Sequence, residues 1–420
     1  MALKVTNSFF SNVSAAPSDP AFALTDAFKT DASSSKVSLG SGVYRDDDAK
    51  PWILPAVKKA KAKLNEDPGT DHEYLPIVGH AEFINLAQEL LFGTKKLDVC
   101  SCIASVQCIS GTGANHLGAR FLADTLKPCR VWISDPAWGN HHLIWTLVSP
   151  NGNIDGGHIQ QRLYPYYKET SRSFDFDGMM DTLEKDATEG DVVILHACAH
   201  NPTGLDPSPE QWEAIANLCE RQKLFPFFDC AYQGFATGSL DADSFAIRHF
   251  LSRGTMEFGV AQSFAKNMGL YGERVGAFHL VTSSTSSATQ TRSQLARLQR
   301  GEISTPPVYG ARIAATVLGD PALFAEWMSD LQTMSGRIKD MRRALYDELR
   351  RLQTPGKWDH IVKQIGMFSY TGLDATQAKI LRDEYSIYLL DSGRISIAGL
   401  NTKNVCYVAS AIDAVVRRQI

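Results

Sequence analysis

The sequence has no pronounced excess of charge of one sign. Its 420 residues include 42 basic and 46 acidic side chains, for a formal net charge of −4. Proteins that bind nucleic acids or anionic membrane surfaces usually concentrate positive charge, because they must attract phosphate groups. The balanced composition therefore argues against both kinds of partner and favours chemistry on a small molecule.

Features of membrane-spanning and secreted proteins are also missing. The most apolar stretches, such as residues 192–199 and 224–228, fall far short of the roughly 18 residues that cross a bilayer. The eight cysteines form no CxxC pair and no regular disulfide framework. Residues 1–10 hold too short an apolar run for a signal peptide, so none is expected. We therefore expect a soluble protein in a reducing compartment, with the cytoplasm as its location.

Metal-binding patterns are equally scarce. His196 and His200 are four residues apart, but they lack the glutamate of a His-Glu-x-x-His motif and they precede an Asn-Pro turn. His141, His142 and the scattered cysteines form no ligand set either. The sequence predicts no metal site.

What is present is the composition of a globular protein of more than one domain. The length exceeds that of a usual single domain, and hydrophobic (44%) and charged (21%) contents are near average. From about residue 104 to 282, short apolar runs alternate with turns and amphipathic stretches, which is typical of βαβ units in an α/β fold. The predicted strands are Val106–Ile109, Arg130–Ser134, Asp191–Ala197, Phe225–Asp229, Phe258–Ser263 and Ala277–Val281.

Polar residues cluster at the carboxyl ends of these strands. In open α/β sheets, ligands bind at those ends, so residues far apart in sequence meet there. We expect one crevice to contain Ser110, Asp135, Asn201, Asp229 and Lys266.

Apolar residues also recur at steps of three or four between Leu323 and Leu352. This spacing predicts one long helix that ends near Pro355-Gly356. Its length suggests a strut between a large domain and a smaller C-terminal one, which contains the predicted strands Gly366–Tyr370 and Arg394–Ala398.

Two short motifs suggest a ligand site. Ser110-Gly-Thr-Gly113 follows a strand and opens an amphipathic stretch, so it is either a phosphate site at a helix N-terminus or a plain glycine turn. It is not a Walker loop, because Ala119 stands where lysine is required. Ser263-x-x-Lys266 lacks the partner motifs of the β-lactamases. Lys266 is then either a lysine that extends to the surface or a desolvated amine suited to a Schiff base.

Asp229 raises a question of charge. It ends the run Leu-Phe-Pro-Phe-Phe, where an unpaired carboxylate is costly to bury, so it should face a cation or a protonated nitrogen. A structural salt bridge would also satisfy it. Spacing alone does not decide whether Tyr232 belongs to the core or to the site.

Four motifs, in this order, resemble the aspartate aminotransferases. They are Ser-Gly-Thr-Gly at 110, His-Asn-Pro-Thr-Gly at 200, Phe-Phe-Asp-Cys-Ala-Tyr-Gln-Gly at 227 and Gln-Ser-Phe-Ala-Lys-Asn-Met-Gly-Leu-Tyr-Gly-Glu-Arg-Val-Gly at 262. The likeness covers nearly the whole chain. It implies a fold-type I transferase that uses pyridoxal 5′-phosphate (PLP), with a mostly parallel central sheet flanked by helices and a smaller α/β domain. The implied parts are an N-terminal arm (1–15), a large domain (50–322) and a small domain (16–49 and 323–420).

The resemblance also implies roles for single residues. Lys266 would bind the cofactor covalently and shuttle a proton, Asp229 would pair with the pyridinium nitrogen, and His141 and His196 would support Asp229. The implied cofactor-binding residues are Ser110, Gly111, Thr112, Trp138, Asn201, Asp229, Tyr232, Ser263, Lys266 and Arg274, with Tyr74 from the neighbouring subunit. The implied catalytic set is Lys266, Asp229 and Tyr232.

For the substrate, the resemblance implies that Arg394 binds the α-carboxylate and that Gly42 leaves room for it, beside Trp138 and Asn201. Arg300 of the second subunit would bind the side-chain carboxylate, so a homodimer with shared active sites is expected. The implied reaction is reversible, ping-pong amino transfer between aspartate or glutamate and 2-oxoglutarate or oxaloacetate.

Departures from the family pattern bear on the substrate. Ser38 and Ser41 stand where Asn and Val are usual, Asp391 where Pro often occurs, and residues 301–305 where Ile-Thr-Trp-Ser-Asn is common. Glu302 could pair with Arg300 and weaken it. An alternative is a specialised PLP-dependent paralogue that uses another amino acid or catalyses decarboxylation or replacement at Cβ. A catalytically dead scaffold disagrees with the presence of Lys266, Asp229 and Arg394.

Overall fold

The computed structural model describes residues 9–93, 101–149 and 159–418. Its strands are β1 (Val37–Ser38), β2 (Ile103–Ile109), β3 (Arg130–Asp135), β4 (Gln160–Pro165), β5 (Tyr167–Lys168), β6 (Ser173–Phe174), β7 (Val192–His196), β8 (Phe225–Cys230), β9 (Phe258–Ser263), β10 (Val275–Val281), β11 (Phe368–Tyr370), β12 (Ile387–Tyr388) and β13 (Arg394–Ser396).

The described residues also form fifteen α-helices. They are α1 (Pro20–Thr30), α2 (Pro55–Glu66), α3 (Ala81–Phe92), α4 (Ser110–Thr125), α5 (Gly139–Val148), α6 (Phe176–Asp186), α7 (Pro209–Gln222), α8 (Leu240–Asp243), α9 (Phe245–Arg253), α10 (Thr285–Glu302), α11 (Tyr309–Gly319), α12 (Pro321–Arg351), α13 (His360–Lys363), α14 (Ala375–Tyr385) and α15 (Val405–Arg417). Within the described ranges, no helix is long and apolar enough to cross a membrane.

A seven-stranded sheet in the order β2-β10-β9-β8-β7-β3-β4 organises the larger part of the protein. The pairs from β4 through β9 are parallel, whereas β10 is antiparallel to both β9 and β2. Parallel neighbours need a crossover connection, and helices supply it here. The predicted mostly parallel sheet is confirmed.

The predicted strands agree closely with the observed ones, and Phe258–Ser263 has the predicted bounds. The other sheet strands shift at their ends, by three residues at the start of β2. The sequence analysis missed β4, Gln160–Pro165, because most of its side chains are polar or exposed at the edge of the sheet. Apolar periodicity is weak in such a strand.

Helices cover both faces of the sheet. One buried cluster joins the sheet to α3, α6, α7 and α9, and a second joins its other face to α4, α5 and α10. Helix α4 approaches the sheet closely at Gly118, where an added Cβ would lie 2.5 Å from Phe278 and 2.6 Å from Phe227. The absence of a side chain at Gly118 therefore sets the depth at which α4 packs.

The predicted long helix is confirmed as α12, Pro321–Arg351. The side chain of Asp320 caps its N-terminus by accepting hydrogen bonds from the backbone N–H groups of Ala322 and Leu323. Its apolar stripe packs in a third cluster with residues of α2, α11 and α15. Next to it, β1 pairs in parallel with β12, and β11 pairs antiparallel with β13.

We expect Gly118→Ala to destabilise the protein by about 1–3 kcal/mol, since the rings of Phe227 and Phe278 must move to admit the methyl group. Gly336→Ala is the matched control, because it lies within α12 and its Cβ would meet no atom within 4 Å. The control should gain about 0.5–1 kcal/mol from helix propensity. Urea unfolding measures both, and equal effects at the two positions would contradict this account of α4 packing.

Candidate active site

One cavity of about 490 Å³ opens at the carboxyl ends of the central strands. The structure brings most of the predicted site residues to its wall, namely Gly42, Ser110, Gly111, Thr112, Trp138, Asn201, Asp229, Tyr232, Ser263, Lys266, Arg274 and Arg394. Parallel register explains the convergence, because His196 pairs with Asp229 and Asp229 pairs with Ala261 across β7, β8 and β9.

The prediction that Asp135 shares this crevice is wrong. Asp135 ends β3, but it is exposed and does not line the cavity. Strand β3 lies one position further out than β7, so its end is displaced from the centre of the sheet. The loop after β3 brings Trp138 to the cavity instead.

Asp229 is a buried carboxylate with two hydrogen-bond donors. Nε2 of His141 lies 3.0 Å from its Oδ2, and Asn115 donates to the same oxygen at 3.3 Å. Burial opposes the ionised form, but the hydrogen bond and charge of His141, with His196 and Lys266, outweigh it and lower the pKa of Asp229. The carboxylate is thus held ionised at the end of β8.

Three aromatic rings extend from the cavity wall into the protein. Trp138 contacts His141 edge to face at 5.2 Å, and His141 contacts His196 in the same way at 5.1 Å. Nδ1 of His196 accepts a hydrogen bond from the backbone N–H of Asn201, and burial lowers the pKa of His196 well below its usual value. His196 is therefore a neutral support. No group of His, Cys, Asp and Glu among the described residues has the arrangement of a metal site.

Lys266 lines the cavity. Its Nζ is 5.3 Å from the centre of the Tyr232 ring. Burial lowers the pKa of Lys266, and the positive charges of Arg274 and Arg394 act in the same direction, while Asp229 opposes them. A lowered pKa favours the neutral, nucleophilic amine. Burial also raises the pKa of the Tyr232 hydroxyl, so that it stays protonated.

The N-terminus of α4 faces the cavity without a side-chain cap of its own. Ser110 begins the helix with φ of +60°, and its Oγ lies 3.2 Å from Oγ of Ser263. A Cβ on Gly111 would approach Cβ of Ser263 to 3.0 Å, so a glycine suits this close contact. Free N–H groups and a helix dipole at such a position bind anions.

Arg394 is a buried cation with neutral partners. Its guanidinium donates to the carbonyl oxygen of Gly40 at 3.0 Å and to Oδ1 of Asn201 at 3.3 Å, and it lies 4.1 Å from the centre of the Phe368 ring. Its Nε has no partner among the described residues. Burial lowers the pKa of Arg394 to about 10. Such a group is poised for an anionic ligand. Gly42 adjoins it, with an added Cβ 3.5 Å from the Phe368 ring.

Two predicted site residues lie outside the cavity of their own chain. Tyr74 is 81% exposed, and Arg300 is exposed and donates a hydrogen bond to Oγ of Ser304. Glu302 pairs with His116 at 3.6 Å rather than with Arg300. The pair between Glu302 and Arg300 that the sequence allowed is therefore not formed within the folded chain.

The sequence analysis missed three parts of the site. Asn115 donates to Asp229, Phe368 covers Arg394, and α1 contributes Phe22 and Thr25 to the cavity wall. Asn115 carried a usable signal, since it is a polar residue on the mostly apolar buried face of α4. Phe368 carried none, because a phenylalanine in a short strand is normally part of the core.

Known proteins resemble this chain in sequence and in fold. The family model of aminotransferase class I and II matches residues 34–412. An L-tyrosine:2-oxoglutarate aminotransferase of Aspergillus ustus is 50% identical over 405 residues, which are 94% of this chain and 76% of that protein. A cytoplasmic aspartate aminotransferase of Schizosaccharomyces pombe is 47% identical, covering 97% of this chain and 98% of that protein.

Among solved structures, the aspartate aminotransferase from the cytoplasm of Saccharomyces cerevisiae matches with a TM-score of 0.93 at 43% identity. The match covers 98% of this chain and 99% of that one. The family predicted from the four motifs is confirmed, and the chain belongs to the class I and II aminotransferases.

Proposed function

We propose that this protein is an aspartate aminotransferase that uses PLP to exchange amino groups between aspartate or glutamate and 2-oxoglutarate or oxaloacetate. One observation carries the proposal: the amine of Lys266, the carboxylate of Asp229 and the guanidinium of Arg394 meet in a single cavity. The relatives named above, two of them aspartate aminotransferases, support it.

The cavity fits the cofactor on two structural grounds. Both donors to Asp229 reach Oδ2, which leaves Oδ1 available to a pyridinium nitrogen. The uncapped N-terminus of α4 offers N–H groups to a phosphate. The residues that would hold the phosphate are Ser110, Gly111, Thr112, Ser263 and Arg274, while Trp138 would stack on the ring and Asn201 and Tyr232 would bind its phenolic oxygen.

When bound, PLP supplies an electron sink that stabilises negative charge on the substrate Cα. Residues of the chain would supply the proton transfers and the contacts that bind cofactor and substrate. Lys266 would remove the proton from Cα and return a proton during exchange, a role that its lowered pKa supports. Asp229 would keep the pyridinium nitrogen protonated, because its own pKa is lowered and its charge persists.

Arg394 would bind the substrate α-carboxylate through two parallel hydrogen bonds, which a planar guanidinium forms better than an ammonium group. Its neutral partners support this role, since Asn201 and Gly40 orient the guanidinium without neutralising it. Gly42 would leave space beside Phe368 for that carboxylate.

We further propose a homodimer in which Tyr74 reaches the phosphate and Arg300 the side-chain carboxylate of the other subunit's ligand. The exposure of both side chains supports the proposal, because neither reaches the cavity of its own chain. Exposed apolar residues also occur near these positions, since Ile77 follows Tyr74 by three residues and Leu143 and Leu147 line a surface cavity with Glu302.

The domain division and the location are proposals as well. The large domain would comprise residues 50–322, and the small domain 16–49 and 323–420, which is supported by the pairing of Val37 in β1 with Ile387 in β12. Residues 1–15 would form an arm. A cytoplasmic location is supported by the cytoplasmic relatives of two yeasts.

A second candidate is a tyrosine aminotransferase, favoured by the 50% identity to the Aspergillus ustus enzyme. The cavity extends along α1 to Phe22 and Thr25, beyond the residues around Lys266. Ser41 also lines it, where the family usually has an apolar valine. We therefore propose acidic preference with broader tolerance of other side chains.

Lys266→Ala should lower transamination at least about 10³-fold, because one amine both binds the cofactor and moves the proton. The fold and phosphate binding should persist, since the residues at the N-terminus of α4 are unchanged. Turnover with aspartate, circular dichroism and equilibrium dialysis of PLP measure the three effects. Lys379→Ala, on the exposed face of α14, is the control. Turnover close to wild type in Lys266→Ala would remove the assignment.

Shared sites predict complementation between two inactive variants. A heterodimer of Lys266→Ala and Arg300→Ala chains contains one site with both residues intact. Random mixing in equal amounts should therefore restore about a quarter of wild-type activity on aspartate. Sedimentation analysis checks that the active species is a dimer. An active monomer, or mixed dimers without recovered activity, would contradict the shared site.

Arg300→Ala should reduce kcat/KM for aspartate by about 10²–10³-fold, because the substrate's second carboxylate loses its charged partner. The values for alanine and phenylalanine should change much less. The measurement is kcat/KM for the three amino acids in wild type and variant. If wild type prefers phenylalanine to aspartate, the second candidate replaces the first. If the preference for aspartate survives the substitution, Arg300 is not the residue that selects it.

A further inference from the structure

Arg342, on α12, is a buried arginine that contacts backbone oxygens instead of a carboxylate. Only 3% of its surface is exposed. Nη1 donates to the carbonyl oxygen of Ile361 at 2.9 Å, and Nη2 donates to those of Gly366, at 2.9 Å, and Phe368. Burial lowers its pKa to about 9, and no charged group of the described chain offsets this effect.

This arrangement is unusual on energetic grounds. A buried guanidinium without a counter-ion is costly, and an apolar side chain would avoid that cost. Arg342 fixes the position of the backbone around it, because its planar guanidinium binds three carbonyl oxygens of one short segment at once. The segment, residues 361–368, is thereby held in a single conformation against α12.

The same segment packs on the turn that carries Asn201. A Cβ on Gly366 would lie 2.4 Å from Cβ of Ala199, and one on Gly204 would lie 2.9 Å from the carbonyl oxygen of Phe368. The backbone N–H of Ile365 also donates to the carbonyl oxygen of Gly204 at 2.7 Å. Segment 361–368 is therefore packed closely against the turn at 199–204 and is joined to it by a hydrogen bond.

The segment and the turn each contribute a residue that contacts Arg394. The ring of Phe368, whose carbonyl Arg342 binds, lies 4.1 Å from the guanidinium carbon of Arg394. Asn201, on the turn, accepts a hydrogen bond from Nη1 of Arg394. Two of the contacts that orient Arg394 thus depend on backbone that Arg342 holds.

We propose that Arg342 is a positioning residue for the substrate α-carboxylate site and acts through Phe368 and Asn201 on Arg394. The inference rests on the proposed role of Arg394. It predicts that Arg342 governs the affinity for amino acid substrates, whereas the cofactor end of the cavity, at Lys266 and α4, is independent of it.

The test uses the holoenzyme and Arg342→Lys and Arg342→Met variants, with the amino acid that wild type uses best. Since every amino acid has an α-carboxylate, the test stands even if aspartate is not preferred. KM should rise about tenfold or more, because small misplacements of binding groups have such effects. kcat should change less, and equilibrium dialysis should give an affinity for PLP close to that of wild type, because the phosphate end at the N-terminus of α4 is unchanged. Arg417→Lys is the control, since Arg417 also binds two backbone carbonyls, of Leu352 and Gln353, far from the cavity.

A double-mutant comparison separates positioning from general stability. In an Arg394→Ala background, Arg342→Lys should raise KM no further, because the residue through which it acts is gone. The proposal is overturned if the double variant raises KM by the product of the two single effects. It is also overturned if the Arg342 variants lower the melting temperature and leave KM unchanged. If the Arg342 variants do not fold, Phe368→Leu provides the test. This variant should raise KM when Arg394 is present and should not raise it further in the Arg394→Ala background. An unchanged KM in Phe368→Leu would refute the inference.

Discussion

The ionised carboxylate of Asp229 is the group on which the arrangement of the cavity depends. It lies at the end of a buried strand, where only specific partners make a charge tolerable. His141 and Asn115 approach one of its oxygens from α5 and α4. The positions of these two helices are thus tied to the end of β8. Trp138 follows from the same constraint, since it immediately precedes α5 and packs on His141.

The remainder of the cavity carries a surplus of positive charge. Arg274 and Arg394 both line it, and burial lowers the pKa of each. Their arrangement is unfavourable without a ligand, because these cations have lost water without gaining carboxylate partners. An anionic cofactor and an anionic substrate would relieve this imbalance. The charge pattern itself therefore points to phosphate at one end and carboxylate at the other.

The two ends are supported by different parts of the fold. The phosphate end is built from the central sheet and the N-terminus of α4, which pack in the dense cluster that includes Gly118. The carboxylate end depends on α12, whose Arg342 holds segment 361–368 beneath Phe368 and Arg394. Arg300, the proposed partner of the substrate side chain, belongs to a third element, the C-terminal turn of α10, and does not line its own cavity. The proposed sites for the phosphate, the α-carboxylate and the side chain are thus supported by three different parts of the fold.

The sequence by itself determined the parts of this protein that local pattern encodes. Apolar periodicity predicted α12 and the central strands, and the order of polar motifs at strand ends predicted the cavity around Lys266, Asp229 and Asn201. The tertiary structure alone decided which strand ends meet. Asp135 ends a parallel strand too, yet β3 lies too far out for it to reach the cavity. Asn115, Phe368 and Arg342 gained their roles from partners between 19 and 114 residues away. Such contacts depend on the packing of whole elements, which no local spacing in the chain records.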